Sequence, residues 1–224
     1  MVRVLAAHTH VDRGAQRLAQ RTEEVRHEPV IIPSCGANLA SLRFALERLG
    51  AHVPLTEDPA RIRAASHVIL PGVGAAAPGM ARLAAAGVVD LIPTLTQPVL
   101  GICLGMQLLF ARSEEEDTLC LGVIDAQVRR IPASPERPVP QMGWNDLEPV
   151  GESALMKNVQ RGAYAYFVHS YAAPPGSYTR ALTVYGEPFS AVVEQGNFFG
   201  TQFHPERSSR LGSRILQNFL NISL

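Results

Sequence analysis

Apolar positions along this chain change their spacing repeatedly, and each change marks an element. Val30-Ile31-Ile32 is a continuous apolar run, the pattern of a strand covered on both faces. Leu39, Leu42, Leu46 and Leu49 then recur at helical spacing, and Gly50 stands where a left-handed C-terminal cap belongs. Residues 51–55 read as a second strand. Asp58-Pro59 places a capping side chain before a proline at the first helical position. Residues 67–70 give a third strand, entering the turn Leu70-Pro71-Gly72-Val73-Gly74. Residues 98–102 give a fourth, followed at once by a predicted helix over 104–111. Strands alternating with helices predict a mainly parallel central sheet with helices on both faces.

The second half has a different rhythm. Segments 122–131, 163–170, 178–184, 190–194 and 198–203 read as strands joined by short connections rich in Gly and Pro, as in antiparallel hairpins. A closing helix over 208–220 carries Leu211, Ile215, Leu216 and Phe219 on one face. The expected fold class is therefore α/β, a mainly parallel sheet with helices on both faces plus an antiparallel, strand-rich second half. Residues 1–28 stand apart, with five arginines and a sparse apolar stripe. They are expected to form a loosely attached N-terminal extension to a single domain over 29–224. Asp12, Glu23, Glu24 and Glu28 spoil the acid-poor character of a targeting peptide.

Composition narrows the class. Lys plus Arg equals Asp plus Glu at 20 each, so no basic field favours nucleic acid. The apolar runs fall far short of the roughly 18 residues of a membrane span. The three cysteines, at 35, 103 and 120, are odd in number and include no C-x-x-C pair, which excludes a full disulfide framework and any strong zinc pattern. A reducing, cytoplasmic setting suits them, and neither metal nor cofactor is expected.

One cysteine has a special neighbourhood. Gly101-Ile102-Cys103-Leu104-Gly105 has the shape of a strand-to-helix elbow that carries a nucleophile. Glycines on both sides relieve contact with neighbouring chain, and the helix starting at Leu104 points unpaired N–H groups at the sulfur. A thiolate is stabilised there, and the Leu104 amide is a natural oxyanion donor. A buried, inert cysteine in a tight turn is the competing reading of the cysteine taken alone, and the flanking glycines tilt it towards function. Cys35 and Cys120 lack this context and read as spectators.

A cysteine nucleophile needs a base and a group to orient it. His204 follows the predicted strand over 198–203, and Glu206 lies two residues on, on the same side of an extended segment. Pro205 is expected to hold that segment out of helical geometry. The turn at Gly72-Val73-Gly74 brings backbone amides to the carboxyl edge of the sheet, with Val73 a candidate second oxyanion donor. No Gly-Lys-[Ser/Thr] follows it, so it is not a P-loop.

Taken together, these segments resemble the class I (triad) glutamine amidotransferases, whose sheet is flavodoxin-like. Gly101-Ile102-Cys103-Leu104-Gly105-Met106-Gln107 matches that family's nucleophile motif, and Gln202-Phe203-His204-Pro205-Glu206 its His-Glu motif. Order, spacing and context agree over 30–224. Within the family, Pro71-Gly72-Val73-Gly74, Met142-Gly143-Trp144-Asn145 and Tyr166-Phe167-Val168-His169-Ser170-Tyr171 resemble the branch that serves imidazole glycerol phosphate synthase in histidine biosynthesis. So does the run 200–206.

The resemblance implies a glutaminase that forms a thioester on Cys103 and hands ammonia to a barrel-shaped cyclase subunit in a heterodimer. Cys103, His204 and Glu206 would be its triad. Gly72, Val73 and Gly74 would line the oxyanion and glutamine site with Leu104. Gln107, His169, Ser170 and Tyr171 would hold the α-amino and α-carboxylate groups of glutamine. Trp144, Asn145, Tyr166 and Arg207 would meet the cyclase. Tyr and Trp at these places are equally able to be simple packing. Two features depart from the family. Pro33-Ser34-Cys35-Gly36-Ala37-Asn38-Leu39 keeps only part of the usual Asp-Tyr-Gly-x-Gly-Asn-Leu opening, and residues 1–28 precede the usual start. The competing readings are a glutaminase subunit of another synthase, a γ-glutamyl hydrolase on the same fold, and a non-catalytic redox-sensing protein with an elbow cysteine. The last would need neither His204 nor Glu206.

Overall fold

A computed structural model describes residues 28–33 and 39–223. The expected extension over 1–28 lies outside the described residues except for Glu28, whose carbonyl accepts a hydrogen bond from Ser66 N–H. Cys35 and most of the altered 33–39 loop also lie outside them.

The core of the fold is an eight-stranded sheet in the order β1-β2-β3-β12-β11-β10-β7-β8. Its parallel half consists of β1 (Val30–Ile31), β2 (Val68–Gly72), β3 (Val99–Cys103) and β12 (Phe198–Thr201). It continues through antiparallel pairing into β11 (Glu187–Gln195), β10 (Thr179–Tyr185), β7 (Gln141–Pro149) and β8 (Ala163–His169). A smaller sheet, ordered β5-β4-β6-β9, uses Thr118–Leu119, Phe110–Ser113, Ile124–Arg130 and Tyr171–Ala172.

Strand alternation explains why both faces of the parallel half are apolar. Ile31, Ile69, Leu100 and Ile102 project to one side, against Leu42 and Leu46 of α1 (Leu39–Glu47) and Ile215, Leu216 and Phe219 of α5 (Ser209–Leu220). Val30, Ile32, Val68, Leu70 and Val99 project to the other. There they meet Ile62 of α2 (Pro59–Ala64), Leu83 of α3 (Ala76–Ala85) and Leu104, Met106 and Leu108 of α4 (Leu104–Leu108). The two-layered core matches the expected α/β class. Asp58 caps α2 as predicted, its carboxylate accepting the Ala60 N–H at 2.9 Å with Pro59 at the first position.

Several elements differ from expectation. The predicted helix over 104–111 stops at Leu108, and Phe110–Ser113 is strand β4, paired with β5 and β6. All five residues of α4 are buried, so there is no polar face to extend along the surface. The predicted strand over 51–55 is reduced to one bridge, Leu55 with Ile31. The strand β7 and the helix α3 carry no expectation from the sequence. His204-Pro205-Glu206 is not extended: Pro205–Arg207 form a single 3-10 turn with His204 at its N-cap. Proline is well placed at the first position of such a turn, because its missing N–H would have no partner there.

Candidate active site

The turn after β3 is the most constrained place in the chain. Cys103 has φ 54° and ψ −110°, a conformation that costs a non-glycine residue about 1–3 kcal/mol. The flanking glycines are required by close approach. A methyl group on Gly105 would overlap the Leu70 carbonyl oxygen, and one on Gly101 would come within 2.6 Å of the Met106 amide nitrogen. The elbow therefore packs against β2 so tightly that side chains have no room. Surrounding packing holds the strain, and Cys103 itself is 5% exposed.

The sheet curls so that its edge strand β8 returns over the carboxyl ends of β3 and β12. The backbone of β8 marks the curl. Val168 C=O faces the Cys103 sulfur at 3.7 Å, while two residues earlier Tyr166 C=O accepts His204 N–H at 3.0 Å. Residues i and i+2 of a strand point their peptide groups the same way, so one free edge addresses both the thiol and the histidine. Tyr166 N–H in turn donates to Ser208 Oγ at 3.0 Å, and the Ser208 hydroxyl donates to the His204 carbonyl at 2.7 Å. His204 is thereby tied at its N–H and its C=O.

The His204 side chain is buried and bonds Glu206 Oε1 through Nδ1 at 2.9 Å. Cys103 and His204 line the same cavity, and the thiol acts on the imidazole electrostatically. Burial pulls the imidazole pKa down, but the bonds and charges of Cys103 and Glu206 outweigh it and raise it to about 10. The arrangement favours the charged, imidazolium form of His204. Glu206 Oε2 is buried and has no hydrogen-bond partner among the described residues.

A cavity of about 220 Å³ opens onto the sulfur, lined by Val73, Gly74, Leu104, Gln107, His169, Ser170 and Tyr171 among others. It falls below the roughly 300–1,000 Å³ of drug-sized sites and suits a small polar molecule. Gly72, buried at the end of β2, lies behind it beside Val73 and His204. The Tyr171 carbonyl organises one wall, accepting from His169 Nδ1 and from Gln107 Nε2, both at 2.8 Å. A carbonyl only accepts, so His169 carries its proton on Nδ1 and leaves Nε2 as a bare acceptor, buried and unpaired among the described residues. Desolvation first, opposed by the Tyr171 bond and assisted by the charge of His204, pushes the His169 pKa down to about 4.

Glu115, Pro140 and Gln202, at or beside this cavity, have no role assigned from the sequence. Glu115 lines it and accepts the Ala76 N–H at 2.7 Å, capping α3, whose own N-cap residue Ala75 offers no side chain for the purpose. Pro140 also lines it. Gln202, wholly buried, stands between Gln107 and the sulfur. No local pattern marks Glu115 or Pro140, because both reach the site from separate loops. Gln202 sits inside the His-Glu motif but does not show its direction there.

Trp144, Tyr166 and Arg207 meet at the surface. The Trp144 and Tyr166 rings are edge-to-face at 5.8 Å, and the Arg207 guanidinium lies 4.5 Å over the Tyr166 ring. Met142 and Tyr164 extend the same face of β7 and β8, with Met142, Trp144 and Tyr164 all more than half exposed. Asn145 is not brought into this cluster. It points to the opposite face, and its amide is used on Val184 C=O of β10 at 2.9 Å. Cys120 is half-buried, and desolvation pushes its thiol up to about 11, away from nucleophilic use. Among the described residues no group of His, Cys, Asp or Glu is placed to hold a metal, and no helix is long and apolar enough to cross a membrane.

Known proteins share this fold. Solved structures of similar shape include one described as a glutamine amidotransferase, with TM-score 0.66, 18% identity, and coverage of 87% of this chain and 99% of that one. Another is PurLQS from Thermotoga maritima, with TM-score 0.63 at 18% identity over 87% and 97% of the two chains. At that identity the likeness speaks for the fold alone. Sequence relatives are nearer. The imidazole glycerol phosphate synthase subunit HisH 2 of Legionella pneumophila (strain Philadelphia 1) is 50% identical over 192 residues, 86% of this chain and 96% of that protein. The subunit HisH of Xylella fastidiosa (strain Temecula1) is 49% identical over 195 residues, 87% and 98% of the two. The family model for class I glutamine amidotransferases matches residues 34–222, and the chain belongs to that family.

Proposed function

We propose that this chain is the glutaminase subunit of an imidazole glycerol phosphate synthase, hydrolysing glutamine to glutamate and ammonia for a cyclase partner in histidine biosynthesis. The observation that carries the reading is the meeting of Cys103 and His204 at one small cavity, with Glu206 bonded to the imidazole. The names borne by relatives of about half identity over nearly their whole length give it its branch.

In this mechanism the Cys103 thiolate attacks the amide carbon of glutamine, forming the C–S bond. The carbonyl electron pair moves to oxygen, where the backbone amides of Val73 and Leu104 hold the oxyanion. Collapse of the tetrahedral adduct breaks the C–N bond, and the His204 imidazolium gives its proton to the departing nitrogen, which leaves as ammonia. Water, deprotonated by His204, then attacks the thioester and releases glutamate and the thiolate. Glu206 keeps the imidazole oriented throughout.

The walls of the cavity supply recognition. Glu115 offers a carboxylate to the α-ammonium group, and Gln107, Ser170 and the bare His169 Nε2 add polar contacts beside Tyr171, Gly72 and Gly74. The exposed face of Met142, Trp144, Tyr164, Tyr166 and Arg207 is the docking surface for the barrel-shaped cyclase, and Asn145 supports it from behind through β10. A free nucleophilic thiol fits a reducing cytoplasm.

The test pairs the purified chain with the cyclase of an imidazole glycerol phosphate synthase. The pair is expected to make imidazole glycerol phosphate from glutamine, and Cys103→Ala to cut glutamate release at least about 10³-fold while leaving association intact. Undiminished glutamate release by Cys103→Ala would overturn the mechanism. Stable association with a different synthase would overturn the branch.

A further inference from the structure

Gln202 is a fully buried polar side chain directly after β12, the strand that pairs with β3 up to Thr201 opposite Ile102. Burying an amide without partners costs several kcal/mol, so its bonds must be accounted for. Its backbone N–H donates to Ala191 C=O at 2.9 Å. Its side chain has two neighbours: Gln107 Nε2, 3.0 Å from Oε1, and the Cys103 sulfur, 3.8 Å from Nε2.

The direction of this amide follows from bonding logic. The chain of contacts begins at the Tyr171 carbonyl, which can only accept. Gln107 must therefore turn its NH₂ end toward Tyr171, where it donates at 2.8 Å. The second hydrogen of the same nitrogen meets Gln202, which must then present its oxygen. The Gln202 NH₂ is left facing the sulfur. Flipping either amide would set two donors or two acceptors against each other, so the orientation is anchored on a backbone atom.

Apart from His204, the sulfur thus meets an acceptor, the Val168 carbonyl at 3.7 Å, and a side-chain donor, the Gln202 amide at 3.8 Å. The carbonyl suits S–H. Once the proton passes to His204, the carbonyl contact turns unfavourable, the Gln202 amide joins the imidazolium as a donor to the sulfur, and a bond to a charged acceptor is the stronger kind. We propose that Gln202 is a further catalytic residue of this site, its side-chain amide held in one orientation by Gln107 so that it donates to Cys103 and stabilises the thiolate. The proposal rests on the reading of Cys103 as nucleophile given above.

The test reads the sulfur directly. Iodoacetamide alkylation of Cys103 is followed by mass spectrometry across the neutral pH range, with the Cys120 peptide as internal reference. Gln202→Leu is expected to alkylate Cys103 about tenfold more slowly at pH 7 and to converge on the unmodified protein at high pH. Gln202→Glu, nearly the same shape but with a carboxylate facing the sulfur, is expected to be slower still at pH 7. With the cyclase, both lower kcat for glutamine hydrolysis and leave KM within about twofold. If Gln202→Leu loses its folded circular dichroism, Gln202→Glu decides the matter. Alkylation of Cys103 at the unmodified rate and pH profile in the folded variants would overturn the proposal. Alkylation needs no glutamine, so this result stands apart from that of Cys103→Ala, which tests the glutaminase reading.

Discussion

His169 illustrates how much a single side chain can constrain. Its proton is committed to the Tyr171 carbonyl, its other nitrogen is bare, and its pKa is pushed down to about 4 from 6.5. The unfolded chain therefore binds a proton between those values that the folded chain refuses. The contribution is fully present above about pH 6.5 and is lost as pH falls through about 4. Urea unfolding at pH 7 and pH 4.5 should show a smaller fall in stability for His169→Gln than for the unmodified protein. An equal fall in both would contradict the account. His204 has the opposite sign: with its pKa raised to about 10, its contribution is present below 6.5 and fades as pH rises through 10. The residues proposed as the triad stood out in the sequence because their motifs are local, and the glycines that the elbow demands flank the cysteine. The cavity-lining residue Glu115 was not legible, since its place depends on which segment the fold sets beside α3.

At the scale of elements, β8 is the part that joins chemistry to architecture. As the last strand of the larger sheet it has an unpaired backbone edge, normally a hazard for aggregation. Here the segment after β12 covers it, through His204 N–H on Tyr166 C=O and through Ser208 Oγ on Tyr166 N–H. Ser208→Ala removes both hydroxyl bonds and leaves a backbone donor without its partner. It is expected to destabilise the protein by about 1–3 kcal/mol in urea unfolding, and to lower glutaminase kcat as His204 loses its tether. Unchanged stability would show that the latch is incidental.

This covering strand was foreseen from its alternation, but its partner β7 was not. The outward positions of β7 hold Met142 and Trp144, so apolar residues fall on both faces and the period-2 signal disappears. The helix α3 escaped for the reverse reason. Its inward positions are Ala76, Gly79 and Leu83, two of them too small to register as a stripe. The stretch at 51–55 has strand composition yet pairs at one residue only, because tertiary context decides where a ladder continues.

For the whole molecule, the decisive feature is a sheet that is parallel on one side and antiparallel on the other. The parallel half delivers Cys103 and the Val73 turn at its carboxyl edge, where such sheets place their ligands. The antiparallel half curls back to bring β8 over that edge, with the exposed aromatic patch on the outer face of the same strands. Alternating strands and helices made the first half legible in the sequence, whereas the curl was not, since it depends on sheet twist summed over eight strands. The central claim is that this geometry makes Cys103 form a covalent bond to glutamine. The most direct measurement is mass spectrometry of the Cys103 peptide after acid quench of the chain turning over glutamine with its cyclase. The account predicts a γ-glutamyl thioester on Cys103, absent in Cys103→Ala. Steady turnover with no adduct on that sulfur at any quench time, in a chain whose Cys103→Ala variant still hydrolyses glutamine, would contradict it.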